Sequence, residues 1–349
     1  KRGIPPFFLF GKVGQTVHKP VRALIEWTIT EEGKCWRMER LSRIYRYEQA
    51  CEFLPPRLKR QALALPDKQK ERTEEFRLRA MRPMTVLTPE GELNAAPEGL
   101  TSLVTAEDLE QMLSAVTEYS RYACIETLRH GFLPLRGGFR LGVCGSAVVR
   151  EGEVSNLKDI SSLSLRIVCE EVGLGSGIAP QLFDGDGRFL STLILSPPGG
   201  GKTTLLRDLI RVLSLGDSEH RALRVAVIDE RGEIAVCCKG RAQMELGNHT
   251  DVLSLCPKAE GIPMVLRGMN PQVIAVDEIT AAADIRAMCL AANCGVGLLA
   301  SIHAANAEEL MQKPLFEELL RAKVFSRCVT ICQDGGRRTY EVGGLPCCT

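Results

Sequence analysis

Residues 196–204 read Ser-Pro-Pro-Gly-Gly-Gly-Lys-Thr-Thr, and this stretch sets the reading of everything around it. It follows the apolar run Leu193-Ile194-Leu195 and precedes a helical pattern from Thr204 to Leu213, so it occupies a turn from a strand into a helix. Gly199, Gly200 and Gly201 allow consecutive backbone N–H groups to curl around a phosphate, Lys202 adds a point charge, and Thr203 offers a hydroxyl to Mg²⁺. Ser196 stands where a first glycine is usual, at the point where the strand closes. Ser196, Pro197, Pro198, Gly199, Gly200, Gly201, Lys202, Thr203 and Thr204 are therefore the expected nucleotide-binding set, with ATP and Mg²⁺ as ligands. The competing reading, a glycine-rich turn that holds nothing, leaves the Gly-Lys-Thr ending at a strand-to-helix junction unexplained.

Working outward, Leu190–Leu195, Val225–Ile228, Val273–Val276 and Leu298–Ile302 are short β-rich apolar runs separated by helical stretches. That alternation predicts a parallel sheet with helices on both faces over 189–349. Asp184-Gly185-Asp186-Gly187, within 184–188, reads as a hinge because these residues favour turns and have little to bury. Ahead of it, residues 51–183 mix helices and mostly antiparallel strands, the pattern of a smaller α+β domain. Thr105-Ala106-Glu107-Asp108 predicts a capping box for a helix running towards Arg129, and Gly137-Gly138-Phe139 predicts a turn between strands at 132–135 and 140–148. Residues 1–50 show no sustained period and are expected to be a poorly structured extension, non-native before Met38.

Composition narrows the classes further. The chain has 349 residues, 45% hydrophobic and 25% charged, enough for about two globular domains. Lys plus Arg (44) nearly cancel Asp plus Glu (43), and there are only two Trp and five Tyr. Little surface is therefore offered to nucleic acid, and no specific nucleic acid is expected. The 14 cysteines have no repeating spacing and no His partners, so they read as idle or buried thiols rather than a zinc site. No apolar run approaches the length of a membrane span.

Metal chemistry needs an acidic residue at the end of a neighbouring strand. Two candidates exist, Val227-Ile228-Asp229-Glu230 and Ala275-Val276-Asp277-Glu278. The second follows a wholly apolar strand; there Asp277 suits a Mg²⁺-bound water and Glu278 suits activation of the water that attacks the γ-phosphate. The expected metal set is Thr203, Asp277, Asp229 and Glu230, with Glu278 and Lys202 as catalytic residues.

Four segments in order resemble the ATPases of type II and type IV secretion systems, a branch of the RecA-like hexameric motors. They are Ser196 to Thr204, Ile228-Asp229-Glu230-Arg231-Gly232-Glu233, Leu266 to Ile274 leading into Asp277-Glu278, and Cys294 to Ala304, which contains His303. Leu54-Pro55-Pro56-Arg57-Leu58, Glu75-Phe76-Arg77-Leu78-Arg79, Gly137 to Gly142 and Asp159 to Leu163 more closely resemble the stage III sporulation AA family of endospore-forming bacteria. The resemblance implies an α/β RecA-like P-loop NTPase domain preceded by the smaller α+β domain. It also implies a homo-hexamer, peripheral at the mother-cell face of the forespore membrane, with membrane proteins of the sporulation channel as partners. Segment 279–283, Ile-Thr-Ala-Ala-Ala, departs from secretion motors in lacking the acidic or arginine residues they carry after the catalytic Glu; the next charges are Asp284 and Arg286.

Three further residues keep two readings. His303 is either a hydrogen-bonded core histidine or, as the resemblance implies, a sensor of the γ-phosphate. Arg140 and Arg166 are either solvated strand residues or, by analogy with arginines on comparable strands of secretion motors, groups that reach the bound nucleotide. The functional expectation is a secretion-type ATP hydrolase serving a mother-cell-to-forespore channel. A pilus or secretion motor, and a nucleic-acid-binding RecA-like ATPase, are the alternatives.

Overall fold

The computed structural model describes residues 43–96, 102–117, 131–167, 171–334 and 337–345. The proposed start at Met38 and the continuation of the capped helix towards Arg129 lie outside them. The described residues belong to one compact unit and build two sheets, of six and seven strands.

The first sheet is antiparallel, in the order β3-β2-β1-β6-β5-β4, from β1 (Glu75–Arg79), β2 (Thr85–Thr88), β3 (Gly91–Asn94), β4 (Phe132–Pro134), β5 (Arg140–Arg150) and β6 (Glu153–Arg166). Strand alternation sends Phe76, Leu78, Val86, Leu141, Val143, Leu163 and Leu165 into one core. Helices α1 (residues 43–51), α2 (Pro56–Leu63), α3 (Asp67–Arg72) and α4 (Ala106–Val116) accompany this sheet. Leu58 and Ala62 of α2 and Leu109, Met112 and Leu113 of α4 join its core. The same alternation puts Arg140 and Arg166 on the opposite, polar face, directly paired across β5 and β6. The expected capping box is present: Thr105 Oγ1 accepts from the Asp108 N–H, and the Asp108 carboxylate accepts from the Thr105 N–H.

Residues 43–51 correct the expectation of an unstructured stretch up to residue 50. Tyr47 is fully buried, meets Phe76 with ring centroids 5.0 Å apart and planes tilted by 46°, and donates its hydroxyl to the Ala62 carbonyl at 2.8 Å. Burying an aromatic side chain stabilises by about 2–3 kcal/mol, and these contacts are all distant in sequence, which is why local periodicity did not reveal the helix.

The second sheet runs β13-β12-β7-β11-β10-β8-β9, from β7 (Thr192–Ser196), β8 (Val225–Asp229), β9 (Thr250–Ser254), β10 (Val273–Val276), β11 (Gly297–His303), β12 (Arg327–Asp334) and β13 (Arg337–Gly344). Neighbouring strands pair in parallel from β12 to β9; β13 alone is antiparallel, as an edge on β12. Successive residues feed opposite cores, as expected for a sheet covered on both faces. Leu193, Leu195, Ile274 and Val276 face α6 (Lys258–Gly268) and α7 (Ala282–Asn293), whereas Ile194, Val273 and Ala275 face α5 (Lys202–Leu215).

Segment 184–188 is not an open link between these bodies. Asp184 Oδ1 accepts from the Asp186 and Arg188 N–H groups at 3.0 and 2.8 Å, closing a hairpin that brings Phe183 against Phe189. Just before it, Ile178, Ala179 and Leu182 pack with Leu205, Leu206 and Leu209. Residues 174–183, expected to finish the first domain, are thus built into the core of the second.

Candidate functional site

The site lies at the C-terminal ends of the parallel strands, where β7 feeds the phosphate loop. Helix α5 begins at Gly201, whose φ of +94° is comfortable only for glycine, and no side chain caps it. Its first N–H groups are thereby left to an anion, in the direction the helix dipole favours. A Cβ on Gly200 would fall 1.7 Å from Ser196 Oγ and 3.0 Å from its Cβ, so a side chain there would force the Ser196 hydroxyl to turn away.

Lys202 is 4% exposed and donates to the Ser196 and Pro197 carbonyls, both at 3.1 Å, so the ammonium lies inside the loop. Burial lowers its pKa, against the opposing pull of Glu278 and Asp277. Its Nζ also approaches His303 Nδ1 at 2.8 Å. An ammonium can only donate, so Nδ1 accepts, and the ring proton belongs on Nε2, which lies 2.9 Å from Glu278 Oε1. The second Glu278 oxygen accepts from Arg231. Register explains this convergence, because His303 at the end of β11 lies opposite Ser196 at the end of β7.

Thr203 Oγ1 donates to Asp277 Oδ2 at 2.6 Å. Asp277 Oδ1 accepts from Ser301 Oγ and from the Glu278 N–H at 3.1 Å, and that N–H also donates to Ser301 Oγ at 3.0 Å. Glu278 itself adopts a left-handed backbone, φ +46°, a conformation that costs a non-glycine residue about 1–3 kcal/mol and concentrates at functional sites. Asp284, the first charge after Glu278, accepts from the Ala281 N–H at 3.2 Å and so anchors the start of α7.

The other acidic box does something different. Asp229 is 2% exposed, and its carboxylate accepts from the Glu233, Ile234 and Ala235 N–H groups at 2.8, 3.1 and 2.9 Å. Burial raises its pKa against the downward pull of those three donors. Glu230 pairs with the buried Lys258. For the two residues expected at the metal, the contacts shown are structural: Asp229 folds the loop that follows β8, and Glu230 ties it to α6. Arg207 of α5 holds the same loop from below, donating to the Glu233 and Ile234 carbonyls at 2.8 Å each.

A cleft of about 890 Å³ opens over the phosphate loop, and both Arg140 and Arg166 line it beside Lys202, Thr203, Glu278 and His303. Arg140 bridges to Glu233 at 2.5 Å and lies over the Phe132 ring at 3.9 Å. Arg140 is thus held by Glu233 and Phe132, and Arg166 is exposed to solvent where it lines the cleft. Sequence reasoning missed Ser301, Arg231 and Arg338. Ser301 carried a signal: it interrupts the apolar strand two residues before His303 and so shares its face. Among the described residues no helix is long and apolar enough to cross a membrane.

The class defined by this geometry is a phosphate-loop α/β protein in which a small antiparallel domain contributes to the cleft over that loop. The chain belongs to the family described as "Sporulation stage III, protein AA", whose profile matches residues 45–344. It is 36% identical over 290 residues to the Stage III sporulation protein AA of Bacillus subtilis (strain 168), covering 83% of this chain and 92% of that one. Its fold is similar to that of the pilus retraction motor PilT, solved with bound ADP, at a TM-score of 0.53 and 17% identity over 78% of this chain and 80% of that one. It is likewise similar to the Legionella pneumophila ATPase DotB, at 0.51 and 18% over 77% and 76%.

Proposed function

We propose that the chain is a Mg²⁺-dependent ATP hydrolase of secretion-motor type. The observation that carries this reading is the meeting of Thr203 with Asp277 at 2.6 Å beside the Lys202, His303 and Glu278 chain. A loop that only bound phosphate would need no carboxylate at the neighbouring strand end. Thr203 and Asp277 are the residues suited to hold Mg²⁺, directly or through water, and the ion would neutralise phosphate charge there. Lys202 and the α5 amides bind the phosphate chain. Glu278 accepts a proton from the attacking water, His303 reports the state of the loop to Glu278, and Arg140 and Arg166 approach the developing negative charge.

In this reading the working form is a homo-hexameric ring, as the resemblance of the sequence motifs to secretion motors implies. It acts in the cytoplasm, peripheral to the mother-cell side of the forespore membrane, on the sporulation channel's membrane proteins. The test is phosphate release from the oligomerised wild type, Glu278→Gln and Lys202→Ala. Release by the wild type alone supports the reading; equal inactivity of all three, with intact folding, sinks it.

A further inference from the structure

The cleft is also lined by residues that none of the sequence motifs contains. Arg338, on the edge strand β13, lays its guanidinium over the last glycine of the phosphate loop: a Cβ on Gly201 would lie 3.1 Å from its Cζ and 3.2–3.3 Å from two of its nitrogens. Arg43, in α1, lines the same cleft. Both arginines share one carboxylate. Arg338 Nη1 lies 3.6 Å from Glu171 Oε2, and Arg43 Nη2 lies 3.4 Å from Glu171 Oε1. These are loose contacts between groups about a third exposed, well beyond the 2.7–2.9 Å of a strong guanidinium-carboxylate bond.

We propose that Arg43 and Arg338 form an anion clamp for the phosphate chain of the nucleotide, and that Glu171 is a placeholder carboxylate which the phosphates displace. This deepens the nucleotide-binding reading above and rests on it. Three physical points support it. An arginine this close to a phosphate loop is within reach of whatever anion the loop holds, and its planar fork matches phosphate better than it matches a carboxylate held at 3.6 Å. Loose ion pairs about a third exposed are inexpensive to break. The clamp also draws on three separated parts of the chain: α1, the stretch at Glu171 between the two sheets, and the β12–β13 hairpin. Phosphate binding would thus release Glu171 at the junction of the two sheets, so the small domain would be informed of nucleotide state through a charge exchange.

The sign of one substitution separates this from a structural salt bridge. Glu171→Gln removes the competitor, so ADP and ATP should bind about 3-fold more tightly or better, while a phosphate-free adenosine should be unaffected. Arg338→Ala should weaken both nucleotides about 10-fold, with adenosine again unaffected. Fluorescent-nucleotide titration and competition on the full chain reads all three, with Lys202→Ala as the reference for loss of the phosphate loop. Glu171→Gln binding that is unchanged or weaker, while the wild type binds and Lys202→Ala does not, overturns the clamp and leaves the nucleotide site standing. A wild type that binds no nucleotide removes the site itself, and the clamp with it.

Discussion

His303 Nε2 lies 2.9 Å from Glu278 Oε1. With Nδ1 of the same ring 2.8 Å from Lys202 Nζ, one imidazole spans the distance between the phosphate-binding ammonium and the carboxylate assigned to water activation. Recruitment of Lys202 to a phosphate would remove the donor from Nδ1 and loosen the ring's hold on Glu278. In the proposed reading, that would couple catalytic readiness to phosphate occupancy through a single side chain.

That coupling predicts a split phenotype for His303→Ala. The phosphate loop and its amides remain, so ADP affinity should stay within about 3-fold of wild type. Glu278 loses its orienting partner, and phosphate release should fall about 100-fold, the usual cost of misplacing a catalytic group. Parallel ADP titration and steady-state phosphate release make the comparison; equal losses in both would show that His303 merely supports the loop.

Thr203→Val tests the metal assignment. Valine keeps the volume and the branching but cannot offer a hydroxyl to Mg²⁺ or to Asp277 Oδ2. The advantage that Mg²⁺ gives ATP binding should shrink about 10-fold, while binding measured with a chelator present stays near wild type. A Mg²⁺ advantage of wild-type size would dissociate Thr203 from the ion.

Asp229 should behave as a folding residue. In Asp229→Asn, one carboxylate oxygen becomes an NH₂ donor that cannot accept from Glu233, Ile234 or Ala235, so at least one buried amide loses its partner. The expected cost is about 1–3 kcal/mol in denaturant unfolding, with the Mg²⁺ dependence of nucleotide binding unchanged. A variant of full stability and altered Mg²⁺ response would restore the metal role.

Asp229 also marks the limit of what could be read from the chain alone. An Asp at the end of an apolar strand looks the same whether it faces a metal or folds its own loop; here the choice is made by where the 233–235 amides point. Features with local causes were legible. The β7 to α5 turn follows from its glycines, the α4 start from Thr105 and Asp108, and the parallel core from unbroken runs such as Val273–Val276. Features caused by distant partners were not. Helix 43–51 depends on Tyr47 meeting Ala62 and Phe76, and the β12–β13 hairpin, with its partly exposed strands, owes its place to parallel pairing of Arg327–Thr330 with Thr192–Leu195. Arg338 entered the site through that hairpin, so no motif scan centred on the phosphate loop would reach it.

The buried Lys202 predicts that nucleotide binding takes up protons in alkaline solution. Burial depresses its pKa below the ordinary 10.5. Between the depressed value and 10.5 the unfolded chain holds more protons at this lysine than the folded one does, so raising the pH through that window adds stability to the nucleotide-free protein. A bound phosphate chain favours the ammonium and pulls the pKa back up, so within the same window binding draws a proton from solution. Titration of ADP by calorimetry in two buffers of different ionisation heat, above the range in which phosphate itself titrates, measures this uptake. It should rise with pH in the wild type and vanish in Lys202→Arg, whose guanidinium stays charged throughout. Buffer-independent heats in the wild type would mean that Lys202 enters the site already fully protonated, and that Glu278 and Asp277 outweigh its burial.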